Sequence, residues 1–236
     1  MKYKFILHST GFLALLICNY NFVAAVPPNS QAKNELPLYG EVPKSVEEKA
    51  IDERFIADSI KISGTRDAAY EAIIKRGWEA LDQRDLAVAM KRFNQASLLK
   101  PKEAGVFWGL AVTTAQQGDF KKSDELFNRG LLIAPNNARM RTDYGFMLVT
   151  YAIDLKNGNN ALSEKQISLL ERAEKEYNEA LRLDPQSALP YSRLAVLEYY
   201  KGNFIAAASL VDESRKRGGE GLDPRFIKDL AIRNNR

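Results

Sequence analysis

The chain has 236 residues, 45% hydrophobic and 27% charged, a globular composition that excludes a disordered tail. Its 34 basic and 30 acidic residues nearly balance at +4, without the one-sided cationic excess of a typical nucleic-acid binder. The only histidine is His8 and the only cysteine is Cys18.

The first 25 residues have the layout of a secretory signal. Lys2 and Lys4 precede an apolar run from Gly11 to Cys18, too short to span a bilayer, and Val23-Ala24-Ala25 offers small residues to a signal peptidase. Cleavage is expected after Ala25, giving an exported protein, periplasmic or secreted. The alternative is a lipoprotein anchored through Cys18; Ile17 weighs against it, because such signals carry a small residue before the cysteine. Loss of residues 1–25 leaves neither histidine nor cysteine, which excludes Ser-His-Asp and Cys-His nucleophiles, Cys/His zinc sites and thiol redox chemistry.

Residues 26–44 hold Pro27, Pro28, Pro37, Pro43 and Gly40, a composition that predicts a flexible linker. Ser45 with Glu48 three residues on is a capping-box signature, and Ile51, Phe55, Ile56 and Ile60 predict a leading helix over 45–63. Gly64 ends it. From there internal repetition dominates, in a domain spanning 64–236.

Gly77, Ala89, Phe93, Ala96 and Pro101 stand at the spacings of a 34-residue helix-turn-helix unit. Phe127 and Pro135 lie 34 residues beyond Phe93 and Pro101, and Ser123 and Gly130 fall where Ala89 and Ala96 predict small residues. Ala173, Tyr177, Ala180 and Pro185 restate the pattern after a step of 50, so a third unit holds sixteen extra residues. Ala207 lies 34 residues beyond Ala173, and Leu194, Ala195 and Gly202 suit the first helix of a fourth unit. In these positions the chain resembles the tetratricopeptide-repeat (TPR) family. The run RGWEALDQRDLAVAMKRFNQASLLKP resembles exported bacterial repeat proteins.

The resemblance implies an all-α, right-handed α-solenoid with repeats at 70–103, 104–137, 138–187 and 188–221. Asp85, Asp119 and Asn203 share one position and are predicted to cap the second helices. Asp223-Pro224 predicts N-cap and N1 of a capping helix over 223–234, with Phe226 and Leu230 on one face. Arg76, Arg141 and Gly219 depart from the family pattern.

In the family the first helices line a concave groove. By that correspondence Ile74, Trp78, Leu81, Trp108, Val112, Phe146, Tyr199 and Tyr200 form a partner-binding groove, aromatic and mostly uncharged, suited to an extended peptide or a helix. An alternative is that the tryptophans pack on the leading helix. Ile74, Trp78, Trp108 and Val112 stand where carboxylate-clamp members carry Lys and Asn, so that function is not expected.

In the third repeat the insertion is expected to lengthen both helices around Asn157-Gly158-Asn159-Asn160, with Ser163 and Gln166 capping the second and Ile167, Leu170, Ala173 and Tyr177 forming an apolar stripe. Seven Lys/Arg between Arg215 and Arg236 most simply form a solvated helix face, with a peripheral membrane contact as the alternative. Glu171, Glu174, Glu176 and Glu179 alternate with Arg172, Lys175 and Arg182 as on a solvated helix, and no carboxylate pair suggests glycoside cleavage. The expectation is a non-catalytic adaptor for an envelope protein, without cofactor, metal or nucleic acid; the alternatives are a self-assembling scaffold of the cell envelope and an enzyme acting on an envelope polymer. Oligomeric state is open.

Overall fold

The computed structural model describes residues 32–155, 162–219 and 222–234. The signal segment 1–25, Cys18, and the turn expected at 157–160 lie outside them. Among the described residues there are ten α-helices and no strand. They form two compact units, divided after Pro135.

The first unit opens with α1 (Val46–Ser63). Its capping box forms as expected: Ser45 Oγ accepts from the Glu48 N–H, and Glu48 reaches back to the Ser45 N–H. The repeats follow as α2 (Arg66–Asp82) with α3 (Leu86–Leu99), and α4 (Ala104–Gln116) with α5 (Phe120–Ile133). The second unit holds α6 (Ala138–Asp154) with α7 (Glu164–Leu183), α8 (Ala188–Lys201) with α9 (Phe204–Lys216), and α10 (Pro224–Asn234).

Repetition is visible in how the helices end. A proline prevents the preceding residue from adopting the α conformation. Lys100, Ala134 and Asp184, each before a proline, accordingly take nearly the same φ/ψ: −139/85°, −126/72° and −139/84°. Where Gly219 replaces the proline, α9 stops on a glycine turn, with Gly218 at φ 74°. The turns inside the repeats share another feature. Gly118 and Gly202 adopt φ 86° and 84°, and in the first repeat Arg84 takes that left-handed place at φ 60°.

Asp85 and Asp119 cap α3 and α5, accepting from the N–H groups of Val88 and Lys122 at 3.0 Å. Asn203 does not cap α9 as expected, because its side chain donates to Glu198 at 2.7 Å instead. Packing follows the small-residue logic. Phe93 is fully buried, and a Cβ added at Gly77 or Gly109 would fall 2.6 Å or 2.2 Å from its ring, so one aromatic fills the gap between the first helices of both repeats. Tyr177 stands in the same relation to Gly145. The departure at Arg141 has its own use, a 2.5 Å ion pair to Glu176 that ties α6 to α7. The chain is thus built of repeated helix pairs with a leading and a C-terminal helix.

The insertion lengthens both helices of the third pair: α6 has 17 residues against 13 in α4, and α7 has 20 against 14 in α5. Ser163 and Gln166 form their capping box, and Leu170, Ala173 and Tyr177 of the apolar stripe are buried. Residues 32–44 correct the expectation of a flexible linker. They fold into two short 3-10 turns, Lys33–Glu35 and Pro37–Glu41, docked on α3.

Candidate functional site

On α2, the buried stripe is Ala69, Tyr70, Ile73, Gly77, Ala80 and Leu81; Ile74 and Trp78 lie at its margin, half-buried. On α4, Phe107, Leu110 and Ala111 are buried while Trp108, Val112 and Ala115 occupy the same margin. Helical spacing therefore brings the two tryptophans together. Their ring centroids are 4.9 Å apart at 64°, an edge-on pair, and Trp78 also meets Phe93 edge-on at 5.3 Å. Buried Phe93 thus supports Trp78 from beneath. Along α2, Glu71 and Asp82 are exposed at the ends of this face and Lys75 pairs with Glu79 beside it at 3.8 Å, so the paired rings themselves form an uncharged aromatic surface. Leu81 is buried and belongs to the core below.

In the second unit Phe146 is half-buried on α6, with the Arg193 guanidinium of α8 stacked 4.2 Å from its ring centroid. Tyr199 and Tyr200 do not extend an open groove. They are 7% and 8% exposed and share a core cluster with Phe226 and Leu230 of α10. The Tyr199 hydroxyl donates to Asp229, which Arg233 also holds at 2.7 Å. Burial, with Asp229 alongside, pushes the Tyr199 phenol up to about 12, so it stays a donor at any physiological pH. The correction has a simple cause: the last repeat has no following repeat, and α10 takes that place over its aromatic residues.

The second helices of the first unit carry a feature the repeat pattern does not announce. Asn94 is fully buried on α3, and its amide contacts three backbone groups of the N-terminal segment. Oδ1 accepts from the Leu38 N–H at 2.7 Å, and Nδ2 donates to the carbonyls of Leu36 at 2.8 Å and Asn34 at 3.0 Å. Glu41 then pairs with Lys122 at 2.7 Å and Arg129 at 3.1 Å, both on α5, and Glu35 pairs with Lys91 at 3.1 Å. The Lys122 hydrogen bond, helped by Arg129, holds the Glu41 carboxyl below the usual carboxylate range.

Between these anchors the backbone is left-handed. Leu38, Tyr39, Gly40 and Glu41 have φ of 52°, 57°, 73° and 56°. Each non-glycine residue in that region costs about 1–2 kcal/mol, so the turn persists only because its surroundings hold it. The sequence signal, visible only in retrospect, is a polar Asn94 between Phe93 and Ala96 in a buried stripe.

Among the described residues no cluster of three His, Cys, Asp or Glu side chains could hold a metal ion. Tyr70 and Tyr177 are pushed above the ordinary phenol range by burial, which keeps them neutral packing residues. Lys201 is enclosed between Glu174 and Glu198 at 2.5 and 2.7 Å; burial opposes its charge, but the two carboxylates raise its affinity for the proton. Among the described residues no helix is long and apolar enough to cross a membrane.

No family model matches the sequence, and no curated protein does. Among solved structures, a crystal structure of MamA is similar at 12% identity, covering 75% of this chain and 96% of that one with a TM-score of 0.49. The MamA RS-1 ArsTM double mutant is similar at 15% identity, 72% and 92% coverage, and a TM-score of 0.47. PilF of Pseudomonas aeruginosa is similar at 20% identity, 68% and 80% coverage, and a TM-score of 0.39. What makes the chain a repeat protein is its own packing: second helices stopped by prolines, and aromatic rings seated on glycines of the first helices.

Proposed function

We propose that the chain is an exported, non-catalytic adaptor that docks an extended peptide or a helix of a cell-envelope protein on the first helices of its repeats. The observation that carries this reading is the edge-on Trp78–Trp108 pair, half-buried on an uncharged face and supported from below by Phe93. Large rigid aromatics at the centre of a surface dominate binding energy, and these two lose little side-chain entropy on docking because they already pack on each other. Ile74 and Val112 extend the apolar contact on either side. Helix pairs stacked in series are suited to such work, since each pair adds surface without altering its neighbours. Export is inferred from the layout of residues 1–25, and peripheral membrane contact from the basic residues after Arg215.

A photo-crosslinking residue at Val112, in the full-length protein in living cells, tests the reading. It should capture one envelope protein, and Trp78→Ala with Trp108→Ala should weaken that capture more than tenfold, about 1.4 kcal/mol, while helical circular dichroism persists. Undiminished capture by the double variant, or crosslinks confined to the same chain, would overturn it.

A further inference from the structure

The chain's residues 34–41 are held as a bound peptide is held. Recognition is of main chain first: one buried asparagine satisfies two carbonyls and one N–H across a five-residue span. It is of shape second. At Gly40 the backbone has φ 73° and an added Cβ would stand 3.2 Å from Leu36 Cδ1, so the turn asks for glycine at that point. Charge comes third, with the carboxylate after the glycine gripped by Lys122 and Arg129. All these partners lie 56 to 88 residues away in the chain, on α3 and α5. A left-handed turn of this kind has no reason to form alone, whereas a preformed site selects it.

We infer that the second helices of the first two repeats form a peptide-binding site, distinct from the tryptophan face, whose resident ligand is the chain's own Leu36–Glu41 turn. The ligand class is a left-handed turn with glycine followed by an acidic residue. Because the ligand is tethered, its high effective concentration keeps the site filled, and a free peptide of the same sequence competes poorly until the tethered copy is disabled.

The test uses a fluorescent peptide of native sequence 32–44 and the full-length chain carrying Gly40→Val and Glu41→Lys, which spoil its own turn. That chain should bind the peptide saturably in anisotropy titrations, and the unmodified chain more than about tenfold more weakly. Adding Asn94→Ala to the first should abolish saturation. A charge exchange guards against misfolding: a chain carrying Gly40→Val and Lys122→Glu, with its own Glu41 kept, should reject the native peptide and regain part of the binding to one with Glu41→Lys. No binding to any form with native helical circular dichroism would overturn the inference, as would equal binding to the intact and disabled chains. A chain of otherwise native sequence, cut at a protease site inserted between Pro43 and Lys44, serves if the variants unfold. The fragment should co-elute and be displaced by excess peptide, and its departure from a still-helical remainder would refute the site.

Discussion

Phe93 shows how one side chain sets the spacing of three helices. Its ring is sealed, with Gly77 on one first helix and Gly109 on the next, and neither position has room for a methyl group. Gly→Ala in an exposed helix would stabilise by about 1 kcal/mol through propensity alone. Here the added Cβ overlaps a ring that cannot retreat, at a cost of about 1–3 kcal/mol. Gly109→Ala should therefore lower stability in urea unfolding, and by more than Gly77→Ala, because the clearances are 2.2 and 2.6 Å. Phe93→Leu should relieve part of the penalty in a double-mutant cycle. Arg84 predicts the opposite sign. It is exposed at φ 60°, where the equivalent turns use glycine. Relief of about 1–2 kcal/mol of left-handed strain, less roughly 0.5–1 kcal/mol of glycine entropy, leaves Arg84→Gly more stable by up to about 1.5 kcal/mol in the same assay.

At the scale of elements, the N-terminal turn makes a pH prediction. Glu41 has its carboxyl held below the ordinary value of 4.5 by Lys122 and Arg129. A lowered folded-state value means that the contribution is fully present above the unfolded value and is lost as pH falls through the folded one. Docking of residues 34–41 should be unchanged from neutral pH to about 5 and weaken below about 4.5, and Glu41→Gln should weaken docking at neutral pH and flatten that profile. Binding of the 32–44 peptide to the disabled chain across pH measures it. The same element shows where sequence stops being legible. The repeats could be read because their contacts recur at a fixed period, as Phe93 and Phe127 or Pro101, Pro135 and Pro185 do. Prolines and a glycine suggested a linker at 26–44, because the three left-handed non-glycine residues run against local preference and are stabilised by Asn94 more than 50 residues away. Tyr199 and Tyr200 are a related case: their register on α8 follows from the repeat, but what covers a terminal repeat depends on α10 closing over it. That the two tryptophans meet is legible because Trp78 and Trp108 stand at neighbouring groove positions, the ninth and the fifth, of adjacent 34-residue repeats.

On the scale of the whole molecule, near-neutral charge and the lack of any histidine other than His8 constrain how both surfaces respond to solution conditions. With a formal charge of +4 spread over 236 residues, long-range steering of a partner is small, so affinity must come from contact. The two surfaces differ in kind. The tryptophan face is uncharged at its centre and gains from apolar burial, which salt does not screen. The turn site depends on Glu41 with Lys122 and Arg129 and on Glu35 with Lys91, pairs that are between about a quarter and a half exposed and so open to screening. Raising sodium chloride from about 0.05 M to about 0.5 M shortens the Debye length to about 4 Å, below the reach of an exposed pair's field. Crosslinking at Val112 should then change by less than about twofold, while the 32–44 peptide loses more than about fivefold in affinity for the disabled chain, with Asn94 left as its main anchor. If both fell together, the partner on the tryptophan face would be held by charge, and an uncharged aromatic anchor would be the wrong description of that face.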